Sequence, residues 1–220
     1  MTIQENIKKL TTEINTLSKK VGRPIQILIA TKYFTEENMG PILETNCRLF
    51  GENRLQEAEK KTTLLTGQNI EWHMIGHLQK NKVKKAVKLM DCIQSVDSLK
   101  LAKKISDEAK KENKTMRILL QVNSANDPNK HGLSEEEIRA TISEFFLFPN
   151  LQIEGIMLMT PIEKEEDKLR AHFRNAKQLH DDLKTQYPSL TTLSMGMSQD
   201  YKIAIEEGAT LVRIGRLILK

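Results

Sequence analysis

The sequence predicts an α/β protein, a (β/α)8 TIM barrel forming one domain over residues 1–220. Three observations carry this. Eight short β-rich apolar runs recur along the chain, loops and longer segments of helical period separate them, and no Pro-, Gly- or Ser-rich linker divides the whole. Strands alternating with helices favour parallel pairing through right-handed crossovers, because each helix returns the chain to the same end of the sheet. Eight units in 220 residues average about 27 residues each, compact but sufficient for such a barrel. A doubly wound open sheet is the structural alternative that strand count alone leaves standing.

The elements follow in order. Ile3, Ile7, Leu10, Ile14 and Leu17 fall at spacings of three and four, one stripe of an amphipathic helix that the Gly22-Arg23-Pro24 breaker ends. The predicted strands are 25–31, 48–51, 70–76, 92–96, 116–122, 151–158, 192–195 and 210–215. Helical segments are predicted over 35–44, 53–65, 98–112, 134–146, 163–185 and 199–207.

Composition narrows the class. The apolar fraction of 39% and charged fraction of 29% lie far from the disordered corner of composition space. Neither a run long enough to span a bilayer nor a signal-like N-terminus is present, so membrane and secretory readings fall. Cys47 and Cys92 are too few for a disulfide scaffold or a Cys-based zinc site, which points to a reducing cytoplasm and to two buried small side chains. The net charge of +5 is spread along the chain except at Lys80, Lys82, Lys84, Lys85 and Lys88. That run is either a phosphate-contacting patch for nucleic acid or a solvated helix face, and the lack of interleaved aromatics favours the helix face.

In such a barrel the chemistry gathers at the C-terminal ends of the strands, and the unusual residues of this chain collect there. Lys32 follows the first strand on the face of Ala30 and Leu28, so it is expected to emerge among apolar neighbours. Burial there would favour the neutral amine, the form that attacks an aldehyde; a lysine snorkelling into water is the competing reading. Ser194-Met195-Gly196-Met197-Ser198 ends the seventh strand before a helix, offering N–H groups and a hydroxyl to a phosphate, or simply Ser198 as an N-cap. Arg213, at the end of the apolar eighth strand, needs a partner, either a ligand or a neighbouring carboxylate, and Gly215 lets a ligand come close to the backbone. Asn53 either caps the second helix or faces the site. His73 and His77, four apart on a strand, are about 13 Å apart, too far to share an ion, so no metal site is assigned. Met157, Met159, Met195 and Met197 read as fillers near the mouth.

Together these motifs resemble a known family. Ala30-Thr31-Lys32, Phe50-Gly51-Glu52-Asn53 with Gln56-Glu57, Trp72-His73-Met74-Ile75-Gly76-His77-Leu78-Gln79 with Asn81-Lys82, Gly155-Ile156-Met157, Leu193 to Ser198 and Val212-Arg213-Ile214-Gly215 are similar, in order, to the pyridoxal phosphate homeostasis proteins. The resemblance implies a barrel like the N-terminal domain of alanine racemases, with pyridoxal 5′-phosphate at its mouth. It implies Lys32 as the Schiff-base lysine, Arg213 facing the pyridine nitrogen, Asn53 near the ring, and Met197, Ser198, Gly215 and the backbone of Arg216 around the phosphate. An arginine leaves the pyridine nitrogen unprotonated and the ring a weak electron sink. The racemases' second acid/base, a tyrosine, is implied to lie in a β-domain for which the residues after Gly215 leave no room. The expectation is a cytoplasmic, monomeric cofactor carrier with little or no turnover, serving vitamin B6 homeostasis with pyridoxal phosphate-dependent apo-enzymes as recipients; a racemase-like enzyme and a basic nucleic-acid binder are the alternatives. Arg216 stands where the family commonly has threonine, which removes a hydroxyl from the phosphate cradle.

Overall fold

In the computed structural model, residues 1–124, 131–161, 163 and 165–220 are described. Strands β1 (Gln26–Ala30), β2 (Leu49–Glu52), β3 (Glu71–Met74), β4 (Cys92–Val96), β5 (Met116–Val122), β6 (Leu151–Leu158), β7 (Thr192–Met197) and β8 (Leu211–Ile214) pair in parallel around a closed barrel. Closure is made by β1 against β8, with Ile27 opposite Val212 and Leu28 opposite Arg213. The doubly wound open sheet is thereby excluded.

The helices are α1 (Ile3–Val21), α2 (Gly40–Leu43), α3 (Leu55–Leu64), α4 (Val83–Leu89), α5 (Leu99–Lys111), α6 (Glu135–Phe145), α7 (Glu166–Gln186) and α8 (Tyr201–Glu206). Helix α1 starts in a capping box, where Thr2 Oγ1 accepts from the Glu5 amide and Glu5 returns the bond to the Thr2 amide. It ends at Gly22, whose φ of 68° suits only glycine at low cost. Its buried stripe, Ile7, Leu10 and Ile14, packs toward α2 and α8; Asn6 Nδ2 donates to the Ile218 carbonyl, and Tyr201 donates to Glu13. Helix α1 thus covers the β8–β1 side of the barrel. All six predicted helices come out shorter, two of them markedly. The 35–44 segment contracts to α2, and the 199–207 segment starts only at Tyr201.

The main apolar core lies between sheet and helices. Inside the barrel, two small apolar groups, one with Leu28, Ala30, Ile75 and Leu211 and the other with Cys92, Leu119 and Met157, flank a buried polar column. Arg213 donates to Ser194 Oγ (2.8 Å), Ser194 donates to Gln94 Oε1 (2.7 Å), Gln94 Nε2 meets His73 Nδ1 (2.7 Å), and His73 Nε2 meets Glu71 Oε1 (2.7 Å). With Gln94 as donor, His73 Nδ1 accepts and Nε2–H donates. Every dipole then points from the guanidinium at the mouth toward the carboxylate at the opposite end, a cooperative alignment that offsets the cost of a buried cation.

Glu71 anchors that column. His73 and Arg117 hydrogen bond to its carboxyl and hold it down at about 2, against an ordinary 4.5. A folded-state value below the unfolded one contributes stability above about pH 4.5 that is lost as pH falls toward 2. Glu71→Gln is therefore expected to flatten the acid limb of the stability profile over that window, measured by denaturant midpoints at stepped pH.

Cys92 is buried and Cys47 half-buried, and burial raises both thiols, which suits packing roles. On the lysine-rich face Lys85 pairs with Glu59 and Lys88 with Glu112, as a solvated helix face would. Among the described residues no helix is long and apolar enough to cross a membrane.

Candidate functional site

Seven residues singled out in the sequence, Lys32, Asn53, Met197, Ser198, Arg213, Gly215 and Arg216, line one cavity at the C-terminal ends of the strands. Ala30, Tyr33, Ile75 and Met159 complete its wall. It measures about 60 Å³, and Tyr33 and Met159 on its wall are 42% and 43% exposed. A much larger hollow of about 810 Å³ lies at the opposite end, between α1 and the starts of β1 to β3. Chemistry in this fold belongs at the strand C-termini, and the convergent polar groups are there, so the smaller cavity is the candidate site.

Lys32 sits on a 3-10 turn, Thr31–Tyr33, one step beyond β1. Of the two readings of Lys32, the structure agrees with the one that puts its amine in water. It lines the cavity beside Ala30, Ile75 and Met159 yet is exposed, with Nζ 4.7 Å from the centre of the Tyr33 ring. The turn itself is fastened from behind. Thr31 Oγ1 donates to Glu52 Oε1 at 2.7 Å, and the buried Lys61 Nζ, from α3, donates to both Glu52 and the Thr31 carbonyl. Glu52 Oε2 also accepts the Asn53 amide. One buried carboxylate thus joins the Thr31 side chain, just before Lys32, to the Asn53 backbone.

Asn53 does not cap α3. Arg54 occupies that position without a side-chain bond, and the buried Oδ1 of Asn53 has no hydrogen-bond partner. Gly76 fixes its backbone, because a Cβ there would lie 2.3 Å from the Asn53 carbonyl oxygen. An unsatisfied buried acceptor on the wall of a cavity is a group awaiting a donor.

Arg213 is buried, and the alternative of a structural ion pair is set aside, since no salt bridge joins it to a carboxylate among the described residues. Its acceptors are the Ser194 carbonyl and hydroxyl and the Leu158 carbonyl, which use three of its five N–H groups. Desolvation pulls it down to about 10, only partly opposed by Asp200, so it remains cationic at neutral pH. Ser198 is likewise no helix cap: Asp200 precedes Tyr201, and its carboxylate accepts the Met197 amide. The Ser198 hydroxyl instead accepts the Gly215 amide at 3.3 Å. Gly215 abuts β1 so closely that a Cβ would lie 2.8 Å from the Ala30 carbonyl oxygen. Arg216 is exposed at the rim.

Missing from the sequence reading were Tyr33, Met159 as a rim residue, and the Glu52–Lys61–Thr31 knot. Tyr33 stood next to Lys32, the one local signal available. Met157 and Met195 are buried fillers as expected.

The family model for the alanine racemase N-terminal domain matches residues 6–219. A pyridoxal phosphate homeostasis protein of Aquifex aeolicus is 34% identical over 97% of this chain and 96% of its own length. The chain belongs to the pyridoxal phosphate homeostasis protein family. Another member, from Pseudomonas aeruginosa, is 34% identical over 97% of this chain and 93% of that protein. Among solved structures, PipY of Synechococcus elongatus with PLP bound superposes at a TM-score of 0.88, with 31% identity over 99% of this chain and all of PipY. An alanine racemase of Clostridium difficile, 17% identical, matches at 0.75 over 95% of this chain and 56% of its own, a likeness of fold. Pyridoxal phosphate homeostasis proteins therefore share this barrel across nearly their full length.

Proposed function

We propose that the protein binds pyridoxal 5′-phosphate, holds it as a Schiff base on Lys32, and acts in intracellular vitamin B6 homeostasis with little or no catalytic turnover. The observation that carries this reading is the convergence of an amine, a hydroxyl, a buried guanidinium and a backbone-tight glycine on one cavity: Lys32, Ser198, Arg213 and Gly215. The residues fit the cofactor. The orphaned Asn53 Oδ1 and the two remaining Arg213 N–H groups supply polar contacts for a heteroaromatic ring, and the Ser198 hydroxyl on the same wall offers a donor to a phosphate.

Pyridoxal phosphate, when bound, supplies an aldehyde that takes up amines and a ring that can accept electrons from them. Arg213 stays cationic at neutral pH and disfavours a proton on a ring nitrogen beside it, which keeps that acceptance weak. The Ser198 hydroxyl and the Arg216 backbone would hold the phosphate, with Gly215 fixing Ser198 through its amide. The PLP-bound PipY supports the cofactor, and the names of the relatives support the homeostatic role. Recipient apo-enzymes are the partners this role implies.

Titrating cofactor-free protein with pyridoxal phosphate tests the reading. One equivalent is expected to bind with a visible absorption band and amino-acid turnover no greater than that of free cofactor; a chain that takes up none contradicts the proposal. Ser198→Ala removes one charge-assisted contact, about 1.5–3 kcal/mol, so affinity is expected to fall about ten- to a hundred-fold without loss of the band. Pyridoxal lacking the phosphate would be insensitive to that change.

A further inference from the structure

The ligand cavity uses the ends of β1, β2, β3, β6, β7 and β8, leaving the β4–β5 sector of the mouth to other side chains. There His77, beyond β3, Asp97, beyond β4, and His131, beyond β5, bring one donor atom each within 4.8 Å of one another. Sequence spacing ruled out a shared ion for His77 and His73, whose ring faces the barrel interior; the fold brings His77 instead to two residues remote in sequence.

The geometry points to a site for a divalent transition-metal ion of the zinc class at His77, Asp97 and His131. Both imidazoles present Nδ1 to the same carboxylate oxygen, Asp97 Oδ2, at 3.4 Å for His77 and 3.8 Å for His131. These separations exceed a good N–H···O bond of about 3 Å. They are close to the roughly 3.3 Å between neighbouring ligands around a tetrahedral ion with bonds of about 2.0 Å. Two nitrogen donors and one carboxylate suit zinc, cobalt, nickel or copper better than magnesium or calcium, which prefer all-oxygen shells. The three ligands leave a fourth position open to solvent.

The backbone around each ligand is anchored. The Ser95 hydroxyl donates to the Gly76 carbonyl just before His77. Ser98 donates to Asp97 Oδ1, which leaves Oδ2 for the imidazoles. Gln121 Nε2 donates to the His131 carbonyl, and residues 131–133 bond to the end of β5 through Leu133 and Asn123. Such outer contacts are what orient metal ligands. The imidazole rings themselves stack at 3.6 Å with 10° between their planes, so they must splay for both lone pairs to reach one ion. Side-chain exposures of 38% and 56% give them that freedom.

The test uses the full chain with Cys47→Ser as background, stripped with a chelator and titrated with zinc chloride by calorimetry. One equivalent is expected to bind, with affinity falling about ten- to a hundred-fold or more in His131→Ala and in Asp97→Asn. Cobalt chloride is expected to give visible ligand-field bands, and magnesium chloride no heat. All three side chains are at least partly exposed, so unbound variants should melt like the parent, and zinc should raise the melting temperature of the parent alone. No zinc uptake by the parent overturns the proposal, and so does equal uptake by parent and variants.

Discussion

Lys32→Ala is expected to leave the fold intact and to remove the visible absorption of the pyridoxal phosphate-loaded protein completely. The side chain is exposed, and its one noted contact is the 4.7 Å approach to Tyr33, so its loss should shift stability by no more than about 0.5 kcal/mol. The proposed Schiff base, by contrast, needs this amine. Lys32→Arg sharpens the point, because it keeps the charge and the ring contact but offers no neutral amine for the aldehyde. Spectra and melting curves recorded together separate the two effects. A visible band surviving in Lys32→Ala would move the covalent site to another amine, such as Lys82 on the adjoining rim.

Glu52→Ala is expected to have the largest effect on stability. Glu52 and Lys61 are buried against each other, and removing one partner leaves a desolvated ammonium with only the Thr31 carbonyl, a loss of about 3–5 kcal/mol. For a chain of this size the melting temperature should drop on the order of 10 °C. Replacing both charges, as in Glu52→Gln with Lys61→Met, should recover most of the loss, since a neutral pair carries no uncompensated charge. The same knot holds the Thr31 carbonyl and the Asn53 amide, so cofactor uptake should weaken in the single variant even below its melting temperature. Thermal melting and pyridoxal phosphate titration of the same samples check both halves.

How much of this was legible in the sequence differs by residue, for physical reasons. The strands could be read because each is a β-rich apolar run bounded by loop residues, and β5 and β6 came out with the expected bounds. Lys32, Ser198 and Arg213 could be read because a charge or a hydroxyl at the end of such a run is locally anomalous. The role of Ser198 could not be chosen locally, since serine before a helix serves equally as cap or ligand. The structure removes the cap role, because Asp200 precedes the helix and the serine hydroxyl accepts the Gly215 amide. The setting of Lys32 could not be chosen between burial and water from strand alternation, because it lies past β1 in a turn, where the structure leaves it exposed. The Glu52–Lys61 pair, the polar column from Arg213 to Glu71, and the approach of His131 to His77 are tertiary meetings, which leave no periodic trace in a single chain.

Reduction with borohydride, followed by peptide mapping, tests the central claim most directly. The protein is loaded with one equivalent of pyridoxal phosphate, reduced, digested and read by mass spectrometry. A phosphopyridoxyl group is expected on the peptide carrying Lys32 and on no other at that stoichiometry. Label spread over Lys80, Lys82 and Lys84, or absent from Lys32, would contradict it.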